Sequence, residues 1–276
     1  MSYKKVLTIQ DISCVGQCSL TVALPILSAA GMETCILPSA VLSTHTGGFS
    51  GFTFRDLTDD MPAIQKHWQK EGIKFSAIYT GYLGSLKQID YVRDILSTMG
   101  DEKCIRVVDP AMADNGKLYS IFDLEYVEGM KTLCPLADVL VPNITEACFL
   151  TGDEYREEYD EEYVLMLMKK LTALGAKAVV LTGVAYREGK TGVAVYENGV
   201  LNYYEHDKCK KGCHGTGDIY ASAFVGALMN DKNLVESAKI AADYTVKCIE
   251  NTQGDADHWY GAKFETALGD YIAMLK

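Results

Sequence analysis

Short runs of β-forming apolar residues alternate along this chain with stretches of helical periodicity, and few folds accommodate that alternation. Val6-Leu7-Thr8-Ile9, Cys35-Ile36-Leu37, Phe75-Ser76-Ala77-Ile78-Tyr79-Thr80, Ile105-Arg106-Val107-Val108, Val139-Leu140-Val141 and Ala178-Val179-Val180-Leu181 read as strands. Helical patterns lie between them: Leu20 to Leu27 and on to Gly31, then residues 56–71, 85–98, 123–134 and 160–174. Helices of that length between strands make right-handed crossovers, and these require a parallel sheet. Residues 191–196 and 200–205 flank Glu197-Asn198-Gly199 and predict an antiparallel hairpin. Helical regions near 233–251 and 263–275 close the chain. No linker, low-complexity tract or repeat interrupts it. The expectation is an α/β fold, one domain over residues 1–276, with a central mostly parallel sheet and helices on both faces.

Several boundaries follow from local signals. The first strand is expected to end at Gln10-Asp11, with the small polar stretch Ile12 to Ser19 as a loop. Pro25 predicts a bend or a helix boundary, and Pro62 limits how early the next helix starts. Thr44-His45-Thr46-Gly47-Gly48 reads as a loop, and Ser85 as a helix cap.

The most chemically pointed stretch is Gly212-Cys213-His214-Gly215-Thr216-Gly217-Asp218, which runs directly into an apolar helix. Gly215 and Gly217 allow unusual backbone angles and close approach to a ligand. The first turn of a helix leaves N–H groups without partners, and its dipole favours negative charge. The stretch therefore reads as an anion cradle suited to phosphate. Asp218 within it is either a cap for its own helix or a general base for a hydroxyl attacking a phosphoryl group.

Composition limits the function. The 276 residues carry a net charge of -11, which argues against a nucleic-acid surface. A phosphorylated ligand must then be held by local devices. Apolar runs are too short to span a bilayer, so no membrane partner is expected. Nine scattered cysteines and no secretory signal read as reduced thiols in a cytoplasmic protein. Cys14/Cys18 and Cys209/Cys213 have C-x3-C spacing with His214 nearby, but zinc would need a matching second pair at finger spacing.

Asp11, Asp109, Asn143, Glu146, Thr182 and Asp218 each fall at or just beyond a strand's C-terminal end, or at the helix start that follows. In an open α/β sheet those ends line the ligand crevice. Ser13 belongs to the same set, although loop and cap chemistry explains Asp11 and Ser13 equally well. Asn143 to Glu146 also fits a capping box. His45 among Thr and Gly is a ligand contact or hydrogen-bonded filler. Tyr82, past the strand ending at Thr80, covers a planar ring or belongs to the core. Three carboxylates beside a phosphate cradle repel one another unless a cation is present, and Mg2+ held through water and phosphate oxygens is the usual solution. The residues point to a Mg-nucleotide-dependent phosphoryl transferase. Without a G-x-x-x-x-G-K-[ST] run it is not a P-loop enzyme.

Thr44-His45-Thr46-Gly47, Thr80-Gly81-Tyr82-Leu83-Gly84-Ser85, Asp109-Pro110-Ala111-Met112, Val141-Pro142-Asn143-Ile144-Thr145-Glu146 and Gly215-Thr216-Gly217-Asp218 together resemble the ribokinase-like superfamily and, within it, the pyridoxal kinase branch. The resemblance covers nearly the whole chain. It implies a ribokinase-like three-layer sandwich, ATP as co-substrate and a small-molecule substrate, a vitamin B6 vitamer, phosphorylated at its 5′-hydroxymethyl group. It implies Asp218 as base, with the backbone of Gly215, Thr216 and Gly217 as anion hole. Asp109 and Glu146 would organise Mg2+. Asn143, Thr182, Tyr119 and Cys213 would lie on the nucleotide side. Asp11, Ser13, Thr46 and Tyr82 would lie on the substrate side, with His45 close by. It further implies a homodimer and an assisting monovalent cation such as K+. Two departures stand out. Asp11-Ile12 replaces the Ser-His usual in the family, so Asp11 is placed to pair with a ring nitrogen or an amine, favouring pyridoxamine. Cys213-His214 just before the anion hole is unusual. Hydroxymethylpyrimidine kinase, or a binding protein without turnover, are the alternatives.

Overall fold

The structure, a computed structural model, describes residues 3–209 and 212–276. In chain order its first half carries β1 (Lys5–Val15), α1 (Leu20–Ala29), β2 (Glu33–Thr44), β3 (Phe54–Asp56), α2 (Met61–Lys70), β4 (Phe75–Thr80), α3 (Leu86–Thr98), β5 (Gly100–Val108), β6 (Ala113–Asp114), β7 (Lys117–Leu118) and α4 (Leu124–Lys131). The second half carries β8 (Val139–Leu140), α5 (Ile144–Thr151), α6 (Glu161–Ala173), β9 (Ala178–Val184), β10 (Lys190–Glu197), β11 (Val200–Asp207), α7 (Thr216–Met229), α8 (Leu234–Thr252) and α9 (Leu268–Met274).

Nine strands form one sheet in the order β11-β10-β9-β8-β5-β4-β1-β2-β3. The six from β9 through β2 pair in parallel, as the strand–helix alternation requires. Antiparallel strands cover both edges: β3 on β2, and the β10–β11 hairpin on β9. At the hairpin, Asn198 (φ 52) and Gly199 (φ 82) both take the left-handed angles that a tight two-residue turn needs. The chain leaves β1 toward β2 on one side and returns to β4 on the other. That reversal makes the C-terminal end of β1 the switch point where such sheets bind ligands.

Alternation along each strand divides the interior into two layers. Leu7, Ile9, Ile78, Val108, Leu140, Val179 and Leu181 pack with α2 to α6. Val6, Ala77, Tyr79, Val107, Val139 and Val180 pack with α1, α7, α8 and α9. The strands therefore read as unbroken apolar runs because both faces are covered.

Four boundaries differ from expectation. β1 does not stop at Asp11 but runs to Val15, and β2 runs to Thr44, the two staying paired through Ile12–Val41, Ser13–Leu42 and Val15–Thr44. The register slips between Gln10 and Ile12, so Asp11 sits at an irregularity that bends the ribbon. The partner Val41-Leu42-Ser43-Thr44, with β-branched Val41 and Thr44, supplies the pairing that makes a strand of this polar stretch. Pro25 lies inside α1, where buried Val22, Ala23, Ile26 and Leu27 hold the helix through the missing N–H. α2 starts at Met61, with Pro62 in its first turn, not at residue 56. The short strands β3, β6 and β7 carry no pattern long enough to see in the sequence.

Candidate active site

The helices α3, α4, α5, α6 and α8 each begin with a side chain that accepts an N–H of the first turn: Ser85, Asp123, Asn143, Asp160 and Asn233. α7, like α1, α2 and α9, begins without one. Its N-cap is Gly215 at φ 76, and a Cβ there would fall 1.6 Å from the carbonyl oxygen of Gln17. Only glycine permits that contact. Gly217 differs from expectation: it lies inside the first turn of α7 with no left-handed φ, and a Cβ there would meet nothing within 4 Å. Of the two glycines, Gly215 makes the turn and Gly217 leaves its surface clear.

Asp218, third residue of α7, does not cap its own helix. Its Oδ2 instead accepts the amide N–H of Ser19 at 2.9 Å, across from the β1–α1 connection. Asp218 keeps part of its surface in solvent, yet the protein packed around it desolvates the carboxyl and pushes its pKa up to about 7. The Ser19 amide opposes the rise and the nearby charge of Asp11 adds to it.

Ser19 is joined to Asp11 as well. Its Oγ–H donates to Asp11 Oδ1 at 2.6 Å, and Ser13 Oγ–H donates to Asp11 Oδ2 at 3.0 Å. Asp11 is 5% exposed, and burial raises its pKa against those hydrogen bonds. Tyr82 faces this group: burial and then the Asp11 charge raise its phenol to about 12. Its ring packs against Phe122, which stacks on Tyr126 at 3.8 Å between centroids. Cys18, beside both carboxylates, has its thiol held protonated by burial and by Asp218 and Asp11.

The second acidic group lies at the ends of β5 and β8. Asp109 N–H donates to Thr80 O at 3.1 Å, closing the end of β5 onto β4. Burial, then Glu146, then Asp218 raise the Asp109 pKa. Glu146 is 3% exposed and burial pushes its pKa up to about 8. Its oxygens are already used: Oε2 accepts Asn143 N–H at 2.8 Å, and Oε1 accepts Met112 N–H at 3.1 Å. Asn143 completes the capping box through Oδ1, with Nδ2 donating to Ala113 O at 2.9 Å. Thr182 sits beside it in an isolated bridge, and its N–H and Oγ–H both donate to Pro142 O. Burial of its hydroxyl end, and then the charges of Glu146, Asp109, Asp114 and Asp218, raise the phenol of Tyr119, whose side chain is otherwise 41% exposed.

His45 is 5% exposed, and both ring nitrogens are engaged by its own chain. Nδ1 accepts Gly47 N–H at 3.0 Å, so Nε2 carries the proton and donates to Tyr260 O at 2.6 Å. Thr46 is exposed just after β2. Cys213 is half-buried and packs against the α7–α8 layer. A distant segment, around residues 258–265, also returns here. Trp259 packs on Phe49 at 4.7 Å, and Phe49 meets the edge of His45 at 5.0 Å. Gln17 Nε2–H donates to Glu265 Oε1 at 3.0 Å from the same side. An aromatic-rich His258-Trp259-Tyr260 was the one available signal, and it has no spacing that assigns a partner. Among the described residues no three His, Cys, Asp or Glu side chains stand close enough to hold a metal ion by themselves. Among them also, no helix is long and apolar enough to cross a membrane, and no disulfide forms.

A mostly parallel sheet flanked by helices, with an uncapped helix terminus and a carboxylate of raised pKa at its switch point, defines a phosphotransferase with an alcohol acceptor. The profile of the phosphomethylpyrimidine kinase family matches residues 26–262, and the chain belongs to that family. A Bacteroides thetaiotaomicron protein, provisionally assigned as a phosphomethylpyrimidine kinase and crystallised with pyridoxal, superposes with a TM-score of 0.92 at 36% identity, over 98% of this chain and 96% of that one. Pyridoxal kinase from Lactobacillus plantarum superposes with a TM-score of 0.92 at 31% identity, over 99% and 98% of the two chains. Pyridoxal kinase of Dictyostelium discoideum is 28% identical over 239 residues, 80% of this chain and 77% of that protein.

Proposed function

We propose that this chain transfers the γ-phosphoryl group of ATP to the 5′-hydroxymethyl group of a vitamin B6 vitamer. The observation that carries the reading is Asp218. It stands in the first turn of an uncapped helix, does not cap that helix, and has a pKa of about 7, near the operating pH of a general base. In the reaction an Asp218 oxygen takes the hydroxyl proton as the alcohol oxygen bonds to the γ-phosphorus, and the bond to the β-phosphate oxygen breaks to release ADP. The N–H groups at the start of α7 face the charge that builds on the transferring phosphoryl oxygens. Tyr82, with His45 and Thr46, forms the side assigned to the pyridine ring. Asn143, Thr182, Tyr119 and Cys213 form the side assigned to the nucleotide.

Mg2+ fits the second acidic group. Burial, and then the like charges of Glu146 and Asp218, raise the pKa of Asp109, and a bound cation relieves that repulsion. Because both Glu146 oxygens already hold amides, Glu146 would act through the cation's waters, with Asp109 nearer. When bound with ATP, Mg2+ supplies charge neutralisation at the phosphates. An assisting K+, a homodimer, one domain over the whole chain and a reducing cytoplasm belong to the same proposal.

The second reading is hydroxymethylpyrimidine phosphorylation, which the family's name favours. The neighbour crystallised with pyridoxal and the Lactobacillus plantarum kinase, both above 30% identity, favour the B6 substrate. The deciding experiment measures ADP release with Mg-ATP against pyridoxal, pyridoxine, pyridoxamine and hydroxymethylpyrimidine. B6 turnover that falls by about 10²–10⁴-fold in Asp218→Asn, with nucleotide binding retained, is the expected result. Turnover of hydroxymethylpyrimidine alone moves the chain to the second reading, and nucleotide binding with no turnover makes it a binding protein.

A further inference from the structure

Ser19 has a backbone that serine rarely adopts, φ 55 and ψ -133. Such a conformation is strained and persists only where its surroundings over-determine it. Its surroundings are an isolated antiparallel bridge to Ile12 and three hydrogen-bonded attachments. The Ser19 carbonyl accepts the first amides of α1, from Val22 at 3.0 Å and Ala23 at 2.9 Å. The Ser19 N–H goes to Asp218 and the Ser19 hydroxyl to Asp11. One residue in a left-handed conformation therefore ties two carboxylates from opposite ends of the chain.

Asp11 is itself fixed. It sits where the β1–β2 register slips, and its second oxygen is held by Ser13, which is 1% exposed. Both its oxygens accept hydroxyls of its own chain, so the carboxylate is anchored within the protein, whereas its sequence position suggested a partner in a ring nitrogen or an amine. We propose that Asp11 is a positioning residue for phosphoryl transfer, setting the Asp218 carboxylate through Ser19. This rests on Asp218 acting as the base. The route is a covalent framework with one hydrogen bond at each end: Asp11 Oδ1 holds the hydroxyl, the hydroxyl holds the Ser19 backbone in place, and that backbone aims its N–H at Asp218 Oδ2. Misplacing a reacting group by about 1 Å costs on the order of 10²-fold in rate.

The test compares Asp11→Ala, Ser19→Ala, the double variant and Asp11→Asn with the wild type at saturating Mg-ATP, for each B6 vitamer. kcat should fall by about 10–100-fold in both alanine variants. KM for the vitamer should stay within about twofold, because the link is to the base and not to the substrate. The double variant should be no slower than Asp11→Ala, since both changes cut one path. Asp11→Asn keeps an acceptor for the Ser19 hydroxyl and should recover most of kcat. An unchanged kcat in Ser19→Ala overturns the proposal. So does a rise in KM at constant kcat in Asp11→Ala, or an effect confined to pyridoxamine, either of which places Asp11 on the substrate. If the wild type phosphorylates no vitamer, the functional reading fails separately. The amide proton resonance of Ser19 then decides the link alone: it should shift upfield in both Asp11→Ala and Asp218→Asn, and an unmoved resonance in Asp11→Ala overturns it. Ser19→Ala, which removes one hydroxyl, keeps the kinetic test available should Asp11→Ala fold poorly.

Discussion

Glu146 Oε1 accepts the amide of Met112 at 3.1 Å, so the first turn of α5 is clasped to the loop that leaves β5 just after Asp109. The same carboxylate holds Asn143 N–H through Oε2. A buried side chain thus satisfies one buried and one part-buried amide and fixes the spacing between the ends of β5 and β8. Glu146→Ala strands both amides, and each buried unmatched N–H costs about 1–3 kcal/mol. The expected loss of unfolding free energy is roughly 2–4 kcal/mol. Glu146→Gln keeps one acceptor and should lose clearly less. Denaturant unfolding of both variants checks this, and equal losses would remove the hydrogen bonds as the cause.

The capping box behind that clasp was legible in Asn143-Ile144-Thr145-Glu146, because its chemistry is local. So were the parallel sheet, the Ser85 cap and the Asn198-Gly199 turn, each set by period or by one residue's backbone. The extension of β1 to Val15 was not, because Ser13 and Cys14 become strand only against Val41 to Thr44 of β2. Ending the strand early left Asp11 at its terminus, whereas it sits within a bulged ribbon and bonds to Ser19. His45 and Tyr260 lie 215 positions apart, and neither carries a pattern that names the other. Asp218 was found by its glycine turn, yet what holds it is Ser19, whose left-handed backbone no periodicity predicts.

Gly215 and Gly217 should respond differently to alanine. At Gly215 a methyl would lie 1.6 Å from the Gln17 carbonyl oxygen, at a left-handed φ. Overpacking and backbone strain together should lower the melting temperature by roughly 5–10 °C. At Gly217 the methyl has open space and sits in a helix, where alanine is the better residue. Gly217→Ala should therefore melt within about 2 °C of the wild type. It should still lose kcat, because the methyl occupies the surface a phosphoryl oxygen must approach. A Gly217→Ala variant with full activity would show that the anion does not sit there.

The raised pKa of Asp218 gives the rate a pH dependence. A base must be deprotonated, so kcat/KM for the nucleotide should fall as pH drops through about 7. Asp11 contributes to that elevation by its charge. Asp11→Asn should therefore move the midpoint to lower pH while it lowers the plateau little. A pH–rate profile in which Asp11→Asn leaves the midpoint in place would separate Asp11 from the base.

The second acidic group makes stability depend on pH and Mg2+ together. Glu146 has a folded pKa of about 8 against an unfolded value of about 4.5, so folding favours its protonated form. That contribution is fully present below about pH 4.5 and is lost progressively as pH rises through about 8. Asp109 is raised in the same direction, by burial and by Glu146 itself. In EDTA the melting temperature should fall between about pH 5 and 8, and Glu146→Gln, which does not titrate, should flatten that fall. Mg2+ binds the ionised carboxylates and competes with protons, so it should raise the melting temperature more at pH 8 than at pH 6. Calorimetry at the two pH values, with and without Mg2+, measures both effects. A Mg2+ increment that is equal at the two pH values, or that survives undiminished in Asp109→Asn, would place the cation away from these carboxylates.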